Sequence, residues 1–332
     1  MKRIRIAQIG TSDYSHGSDI WNTLTKYKDL FDVVGYAFPE NEREKFPHRM
    51  SSFEGYREMT VEEILSDPTI EAVTVETEEI YLTKYALMVA RAGKHLHMEK
   101  PGGTSLSDFE ALVTLLKEKR LTFSVGYMYR HNPVIKEALE KVARGELGKI
   151  ISVEAQMNCK HPVALREWLK DFPGEMLFFL GCHLIDLIYR IQGEPKKVIP
   201  LSTSTGIDGI PSDDFGMAVY QYENGVSFAK TCDNERGGFS RRQLVISGEK
   251  GTIEIRPLEM FGEDGLYTVG GECTSEEWLA EAKTKRSAPF DRYEAMMRHF
   301  AEVIRGKENP YGYDYELGLY KLILKSCGKE LL

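Results

Sequence analysis

The sequence of 332 residues has no long hydrophobic run and no concentration of charge of one sign. No apolar stretch approaches the roughly 18 residues that a membrane-spanning helix needs. The first apolar run after the basic amino terminus is interrupted after about six residues, which is too short for a secretory signal. We therefore expect a cytoplasmic protein with no membrane partner.

Cysteine is scarce, and its five positions are far apart in the chain. Their odd number and the absence of a Cys-x-x-Cys pair argue against a disulfide framework and against a structural zinc site. We expect buried, reduced thiols and no metal. The cysteines are Cys159, Cys182, Cys232, Cys273 and Cys327.

Positive charge is also limited, with 43 lysines and arginines against 51 acidic residues and a net charge of -8. The basic residues are scattered, which excludes the electrostatic footprint of a nucleic-acid-binding protein. The hydrophobic share of 42% and the charged share of 28% are typical of a globular protein rather than a disordered one. The length fits two domains at roughly 150 residues each.

The first third of the chain alternates β-rich runs with helical patterns, which is typical of βαβ units and a parallel sheet. Ser107 and Glu110 have the spacing of a capping box, and Asn132 with Pro133 predicts the start of another helix. We predict a dinucleotide-binding Rossmann domain over residues 1–126. The predicted strands are residues 4–9, 32–37, 72–75, 96–98 and 122–125, and the predicted helices between them are 82–92 and 111–119.

From Lys149 onward β-branched, alternating runs follow one another with few helices, which predicts a mostly antiparallel open sheet. One helix is predicted over residues 176–191, and two more over residues 292–305 and 316–325. The fold class is therefore α/β plus α+β, with residues 127–332 as a substrate-binding and oligomerisation domain. The predicted strands are residues 150–157, 197–205, 217–222, 226–231, 243–246 and 252–255.

The turn after the first strand is where a dinucleotide fold holds the pyrophosphate on backbone N–H groups. Gly10 is the only glycine of G-x-G-x-x-G, and serines stand at the other two glycine positions. The motif predicts cofactor contacts from Gly10, Thr11 and Ser12, although a plain strand-to-helix turn has the same pattern. The second strand ends in Phe38 instead of an acidic residue, so the choice between NAD and NADP stays open.

The run AGKHLHMEKP at residues 92–101 places Lys100 at the carboxyl end of a predicted parallel strand, where ligands bind in open α/β sheets. It resembles the AGKHVxxEKP signature of the Gfo/Idh/MocA oxidoreductases. Three later segments also resemble the motifs of that family, in the same order. They are GYMYRHNP at residues 126–133, GCHLID at 181–186 and the glycines at 248 and 251 with Ile255.

This resemblance implies hydride transfer between NAD or NADP and the hydroxyl carbon of a sugar, polyol or related compound. It implies catalytic roles for Lys100 and His183, because an ammonium can stabilise the substrate oxygen and histidine is a natural general base. It further implies a homodimer or homotetramer. The cofactor is expected against Gly10, Thr11, Ser12, Thr77, Glu99 and Lys100, and the substrate against Met128, Asn158 and His183.

One position departs from the family pattern. Polyol dehydrogenases of this type usually carry an aspartate four residues before the histidine, where this chain has Phe179. We expect Phe179 and His183 to share a helical face, and Asp186 either to orient the imidazole or to brace the structure. Two other functions stay open, namely a redox-neutral epimerase or lyase that retains its NAD, and a non-catalytic dinucleotide or sugar sensor.

Overall fold

The computed structural model describes residues 2–329, which form two compact units. The first unit contains the described residues up to 126 together with residues 293–320, and the second contains residues 127–292 and 321–329. The chain first passes from the first unit to the second after residue 126. Residues 293–320, which the sequence analysis assigned to the second domain, belong to the first unit.

The first unit is built on a parallel five-stranded sheet in the order β2-β1-β3-β4-β5. The strand order reverses between β1 and β3, which is the switch point where doubly wound sheets bind ligands. This confirms the predicted Rossmann sheet. Its strands are β1 (Ile4–Ile9), β2 (Phe31–Ala37), β3 (Ala72–Val75), β4 (His95–Met98) and β5 (Phe123–Val125).

Five helices of the first unit connect these strands. Helix α5 is capped by Ser105, whose hydroxyl accepts the N–H of Asp108 at 3.3 Å. The predicted cap at Ser107 is wrong, because the helix already begins at Leu106. The helices are α1 (Gly17–Lys26), α2 (Glu42–Lys45), α3 (Val61–Ser66), α4 (Glu79–Arg91) and α5 (Leu106–Glu118).

The second unit is built on an eight-stranded sheet in the order β15-β14-β11-β10-β6-β9-β8-β7. Only the β6–β9 pair is parallel within this order, so the predicted mostly antiparallel sheet is confirmed. Strands β12 and β13 form a separate hairpin. The strands are β6 (Ile150–Asn158), β7 (Lys197–Pro200), β8 (Phe215–Gln221), β9 (Val226–Cys232), β10 (Gln243–Gly248), β11 (Gly251–Ile255), β12 (Met260–Gly262), β13 (Gly265–Tyr267), β14 (Val269–Cys273) and β15 (Lys283–Arg286).

Four helices precede or interrupt this sheet. Asn132 caps α6 as predicted, since its side chain accepts the N–H groups of Val134 and Ile135. The single helix predicted over residues 176–191 is wrong, because the chain breaks between α8 and α9. A Cβ on Gly181 would lie 2.5 Å from the carbonyl oxygen of Leu177, so this tight break requires glycine. The helices are α6 (Pro133–Ala143), α7 (Val163–Leu169), α8 (Glu175–Phe179) and α9 (Cys182–Gln192).

The chain ends with α10 (Glu294–Ile304) and α11 (Tyr313–Ser326). Helix α10 belongs to the first unit because its apolar face, including Met297 and Phe300, is buried there. The hydroxyl of Tyr27 donates to Glu294 at the start of the helix. No helix within residues 2–329 is long and apolar enough to cross a membrane.

Candidate active site

The turn after β1 and the loop after β3 meet at the switch point of the first sheet. Gly10 has a φ of +91°, and a Cβ there would lie 2.6 Å from the backbone nitrogen of Thr77. This left-handed conformation and the close approach both require glycine. The structure therefore brings four predicted cofactor residues together, Gly10 with Thr11, Ser12 and Thr77.

Two backbone donors of this turn have acceptors within the protein. The N–H of Ser12 donates to the carbonyl oxygen of Glu76 at 3.1 Å. The N–H of Thr11 donates to Oε2 of Glu42 at 2.9 Å. Glu42 is fully buried, and burial raises its pKa to about 8, while the hydrogen bond from Thr11 opposes that rise. Sequence reasoning missed Glu42, because nothing in the loop after β2 singles out one of its several acids.

The end of β2 carries an aromatic cluster. The ring of Phe38 lies 4.7 Å from that of Tyr36 and 4.9 Å from that of Phe53, measured between centroids. The guanidinium of Arg43 lies 5.6 Å over Phe38 and is paired with Glu58. An aromatic surface with a cation above it thus stands where many dinucleotide folds place a ribose-binding acid.

Glu40, two residues after Phe38, is held by two neighbours on α4. Its carboxylate accepts from the ammonium of Lys84 at 2.5 Å and from the hydroxyl of Tyr85 at 2.7 Å. These hydrogen bonds, that from Lys84 first, lower the pKa of Glu40, so it is ionised at neutral pH.

Lys100 lies directly after β4 and is only 2% exposed. Its ammonium lies 3.6 Å from Oε1 of Glu99. The other oxygen of Glu99 lies 2.9 Å from Nδ1 of His16, in the segment that leads into α1. The predicted pair Glu99 and Lys100 is therefore an internal ion pair at the carboxyl end of the sheet, joined to the start of α1 through His16.

Two further carboxyl groups are buried near this pair. Glu76 is 0% exposed and Glu79 is 1% exposed, and none of their four carboxyl oxygens has a hydrogen-bond partner among the described residues. Burial, and then the charge of Glu99, raises the pKa of Glu76. Burial raises the pKa of Glu79 to about 8, against the opposing effect of Lys100. Glu79 is therefore predominantly protonated at neutral pH.

His97 is the basic neighbour of Glu76. Its Nε2 lies 3.8 Å from Oε1 of Glu76, and its Nδ1 lies 3.2 Å from the hydroxyl of Ser124. Complete burial lowers the pKa of His97 to about 4 despite the charge of Glu99 nearby. The imidazole is neutral at physiological pH, so this histidine does not offset the acids.

These features fit a bound dinucleotide. The turn at Gly10 is close to Thr77, which leaves Thr11 and Ser12 at the amino end of the segment leading to α1, the usual place for a pyrophosphate. The orphaned carboxyl oxygens of Glu79 and the buried ammonium of Lys100 lie at the carboxyl ends of β3 and β4. Buried polar groups without partners are typical of a ligand site.

In the second unit His183 lies in the first turn of α9 and is 1% exposed. Its ring packs edge-on against Tyr129 at 5.1 Å and Tyr127 at 5.9 Å. The hydroxyl of Tyr129 donates to Glu259 at 2.7 Å, which fixes that ring. The predicted substrate residue Met128 lies between these tyrosines in the chain and is also buried. The sequence analysis missed both tyrosines, although they flank Met128 in the GYMYR motif.

Asp186 has a structural role in this unit. Its carboxylate accepts from Nε and from the terminal NH2 group of Arg130, with distances between 2.8 and 3.0 Å. Both residues are almost fully buried. Of the two roles considered for Asp186, the structure supports bracing, since this fork pairing joins α9 to the short helix at residues 128–131.

Asn158 lies at the end of β6 and is completely buried. Neither polar atom of its amide side chain has a partner among the described residues. Nε of Arg242 lies 3.4 Å from its backbone carbonyl oxygen, and another nitrogen of Arg242 lies 3.4 Å from the hydroxyl of Tyr129. Arg242 thus connects Asn158 to the tyrosine that contacts His183.

Phe179 is the last residue of α8 and is half-buried. Its ring meets that of Trp168 edge-on, with centroids 5.7 Å apart. The expected helical face shared with His183 is wrong, because Leu180 and Gly181 interrupt the helix between the two residues. Sequence reasoning also missed Trp168, which no motif marks.

A separate cavity of about 360 Å³ in the second unit lies among α6, β11, β14 and β15, and its lining includes none of the predicted site residues. We therefore do not assign the site to that cavity. Within the described part of the chain, no group of three or more His, Cys, Asp and Glu side chains is arranged to hold a metal ion.

The parallel sheet, its glycine turn and the buried lysine define a dinucleotide-dependent oxidoreductase. Profiles of two domains match the chain. The oxidoreductase family with an NAD-binding Rossmann fold matches residues 4–127, and the Gfo/Idh/MocA C-terminal domain matches residues 135–254. The chain therefore belongs to the Gfo/Idh/MocA oxidoreductase family, as its motifs predicted.

Two relatives and one solved structure illustrate the family. The 1,5-anhydro-D-fructose reductase of Ensifer adhaerens is 23% identical over 76% of this chain and 74% of its own. The trans-1,2-dihydrobenzene-1,2-diol dehydrogenase of Bos taurus is 24% identical over 58% of this chain and 57% of its own. A 3-ketoreductase from Actinomadura kijaniata in complex with NADP superposes with a TM-score of 0.78 at 18% identity, over 97% of this chain and 96% of its own.

Proposed function

We propose that the protein transfers a hydride between NAD or NADP and the hydroxyl carbon of a ring compound related to sugars and polyols, one edge of which is apolar. The buried ion pair of Lys100 and Glu99 at the end of β4 is the observation that carries this proposal. A lysine in that position, in a chain of this family, is suited to act on a substrate oxygen.

Lys100 stabilises the substrate oxygen as its proton leaves. The ammonium is nearly excluded from water, so its charge acts at full strength on a developing alkoxide. Glu99, 3.6 Å away, limits where the ammonium can lie. Glu99 is therefore a positioning residue, and Lys100 is the residue that contacts the substrate.

His183 accepts the hydroxyl proton. The edges of Tyr127 and Tyr129 limit the orientation of its ring. A histidine held in this way can take a proton and pass it on at neutral pH. Met128 and Asn158 are proposed to contact the substrate, and the unpaired amide of Asn158 supports that role because it offers both a donor and an acceptor.

The cofactor is proposed to lie against Gly10, Thr11, Ser12, Thr77, Glu99 and Lys100. When bound, it supplies the two-electron carrier that the side chains of the protein lack. Backbone N–H groups of the turn at Gly10 would hold its phosphates, and the N–H of Thr11, which donates to Glu42, would be a donor available there. Calorimetric titration of the protein with NAD+ and with NADP+ decides between the two cofactors.

The half-buried rings of Phe179 and Trp168 support an apolar edge on the substrate. An aromatic pair offers a surface for C–H groups and no acceptor for a hydroxyl. One relative is named for a trans-1,2-dihydrobenzene-1,2-diol, a ring with hydroxyls on two adjacent carbons and none on the other four. A fully hydroxylated polyol is therefore a poor substrate.

Absorbance of NADH or NADPH at 340 nm tests the proposal over a panel of cyclic diols, deoxy sugars and polyols. Release of reduced cofactor with a substrate of this class supports it. Substrate conversion without release indicates a redox-neutral epimerase or lyase, and binding without conversion indicates a sensor. A cytoplasmic homodimer or homotetramer is part of the same proposal, and light scattering on the purified protein tests the oligomeric state.

A further inference from the structure

We propose that the buried carboxyl groups around Lys100 make the protein bind the oxidised, cationic form of its nicotinamide cofactor in preference to the reduced form, and that Glu79 decides this preference. The inference rests on the proposed function, in which Lys100 contacts both cofactor and substrate, so that the nicotinamide ring, which exchanges the hydride with the substrate, lies near Lys100. It concerns a property of that site which hydride transfer alone does not require.

The argument begins with an excess of acid. Glu76 follows β3, Glu79 is the first residue of α4, and Glu99 precedes Lys100 after β4. Their exposed fractions are 0%, 1% and 1%, and that of Lys100 is 2%. Three carboxyl groups thus share a water-poor region with one ammonium. If all were ionised, the region would carry a net charge of about -2, which burial makes costly.

Glu79 is the member of this cluster that is open to a ligand. Glu99 lies 3.6 Å from Lys100 and 2.9 Å from His16, and Glu76 lies 3.8 Å from His97. Both oxygens of Glu79, like those of Glu76, are buried without a hydrogen-bond partner among the described residues, but Glu79 forms no ion pair there. A buried carboxyl of this kind is costly unless a ligand or water completes its bonding.

The charged and titratable groups that face Glu79 come from three segments. Lys100 and Glu99 come from the end of β4, Glu78 from its own loop, and Tyr14 from the turn after β1. Among these groups only Lys100 carries a positive charge, which favours the ionised form of Glu79, whereas the charges of Glu99 and Glu78 oppose it. A second cation at this place therefore changes the balance.

The oxidised nicotinamide ring carries one positive charge, which it loses when it accepts a hydride. Burial raises the pKa of Glu79 to about 8, so the free protein holds this carboxyl mostly protonated at pH 7. A cationic ring nearby lowers that pKa and releases the proton. Affinity for the oxidised form then rises as pH increases towards 8 and is constant above it, whereas affinity for the neutral ring lacks this rise.

Isothermal titration calorimetry of the full chain tests this with NAD+, NADH, NADP+ and NADPH at pH 6, 7, 8 and 9. Each titration is repeated in two buffers of different ionisation enthalpy, which counts the protons released. We compare the affinity for the oxidised dinucleotide with the affinity for the reduced one. Between pH 6 and pH 8 this ratio is expected to increase by a factor of up to about ten for each pKa unit by which the bound ring lowers the pKa of Glu79. At pH 7 the oxidised form releases a fraction of one proton more than the reduced form.

Glu79→Gln is expected to lose both the pH-dependent ratio and the proton release. Glu71→Gln, which changes a partly exposed glutamate directly before β3, is the matched control and keeps both. Glu79→Met serves as the second variant if the glutamine variant does not fold. An unchanged ratio in a folded Glu79 variant, or equal proton release for the two forms in the wild type, overturns the inference while the proposed function stands. Failure of all four dinucleotides to bind overturns both.

Discussion

Oε2 of Glu99 lies 2.9 Å from Nδ1 of His16, while Oε1 of the same carboxylate lies 3.6 Å from the ammonium of Lys100. His16 belongs to the segment that leads from the glycine turn into α1, and Lys100 lies at the end of β4. One carboxylate therefore connects the segment proposed to hold the phosphates with the lysine proposed to act on the substrate. Glu99 is 1% exposed, so water competes little for either contact.

Lys100→Ala is expected to abolish hydride transfer while it leaves dinucleotide affinity mostly intact, because the ammonium acts on the substrate oxygen. Steady-state kinetics and calorimetry of the variant measure the two effects separately. The exposed Lys119→Ala is the control. Retention of more than about a tenth of the wild-type kcat, a loss below about 1.4 kcal/mol, would show that Lys100 only positions other groups.

His183→Ala is expected to lower kcat by roughly a hundredfold or more, because general-base catalysis contributes that much. Dinucleotide affinity should not change, since the cofactor residues belong to the first unit. The control is His48→Ala, whose side chain is 64% exposed. Equal kcat values in the two variants would remove His183 from the chemistry.

Phe179→Asp is expected to shift substrate preference towards hydroxyl-rich rings. A charged acceptor there contributes about 1.5 to 3 kcal/mol to a substrate hydroxyl, which corresponds to roughly ten- to a hundredfold in kcat/KM. The comparison is between an inositol and a cyclic diol with an unsubstituted edge. Phe179→Leu keeps an apolar side chain and should keep the wild-type order. Efficient oxidation of inositol by the wild type would contradict the proposal that Phe179 favours substrates with an apolar edge.

Asp186→Asn is expected to destabilise the second unit by about 3 to 5 kcal/mol, because it leaves the guanidinium of Arg130 buried without its counter-ion. Urea denaturation followed by circular dichroism measures the change. The double variant Arg130→Met with Asp186→Leu should recover much of the loss, since it leaves no unpaired charge. A single variant as stable as the wild type would mean that solvent reaches the pair.

Stability should fall as pH rises, in part through Glu42. Burial raises its folded pKa from 4.5 to about 8, so the folded state holds the proton more tightly than the unfolded state does. This contribution is complete below about pH 4.5 and is lost progressively between pH 4.5 and 8, by at most about 1.4 kcal/mol per pH unit. Glu42→Gln should show a shallower decline in urea midpoints over that interval. Parallel declines in the two proteins would contradict the assignment.

The strands of the first unit could be predicted from sequence because they are buried on both faces and read as short apolar runs. β1 and β3 were predicted with their observed limits. The break between α8 and α9 could not be predicted, because residues 176–191 keep an apolar pattern throughout. The structure shows the break at Gly181, where a Cβ would lie too close to the carbonyl oxygen of Leu177. Likewise, the helical pattern at residues 294–304 does not say which unit buries it.

The candidate site could be predicted as far as position, since the turn motif places Gly10 after β1 and the run that resembles the family signature places Lys100 after β4. It was not predictable where the role depends on burial. Glu42, Glu76 and Glu79 read as ordinary acids in loops, and only the structure shows them fully or almost fully buried. Trp168 and Tyr129 likewise acquire their roles from contacts with Phe179 and His183.

Calorimetric titration of the wild type and of Gly10→Val with NAD+ and NADP+ tests the central claim most directly. The account predicts that the wild type binds at least one of them well below millimolar concentration. It predicts that Gly10→Val loses this binding while its circular dichroism spectrum is kept, because a side chain cannot fit 2.6 Å from the backbone of Thr77. Absence of wild-type binding to both dinucleotides at millimolar concentration would contradict it.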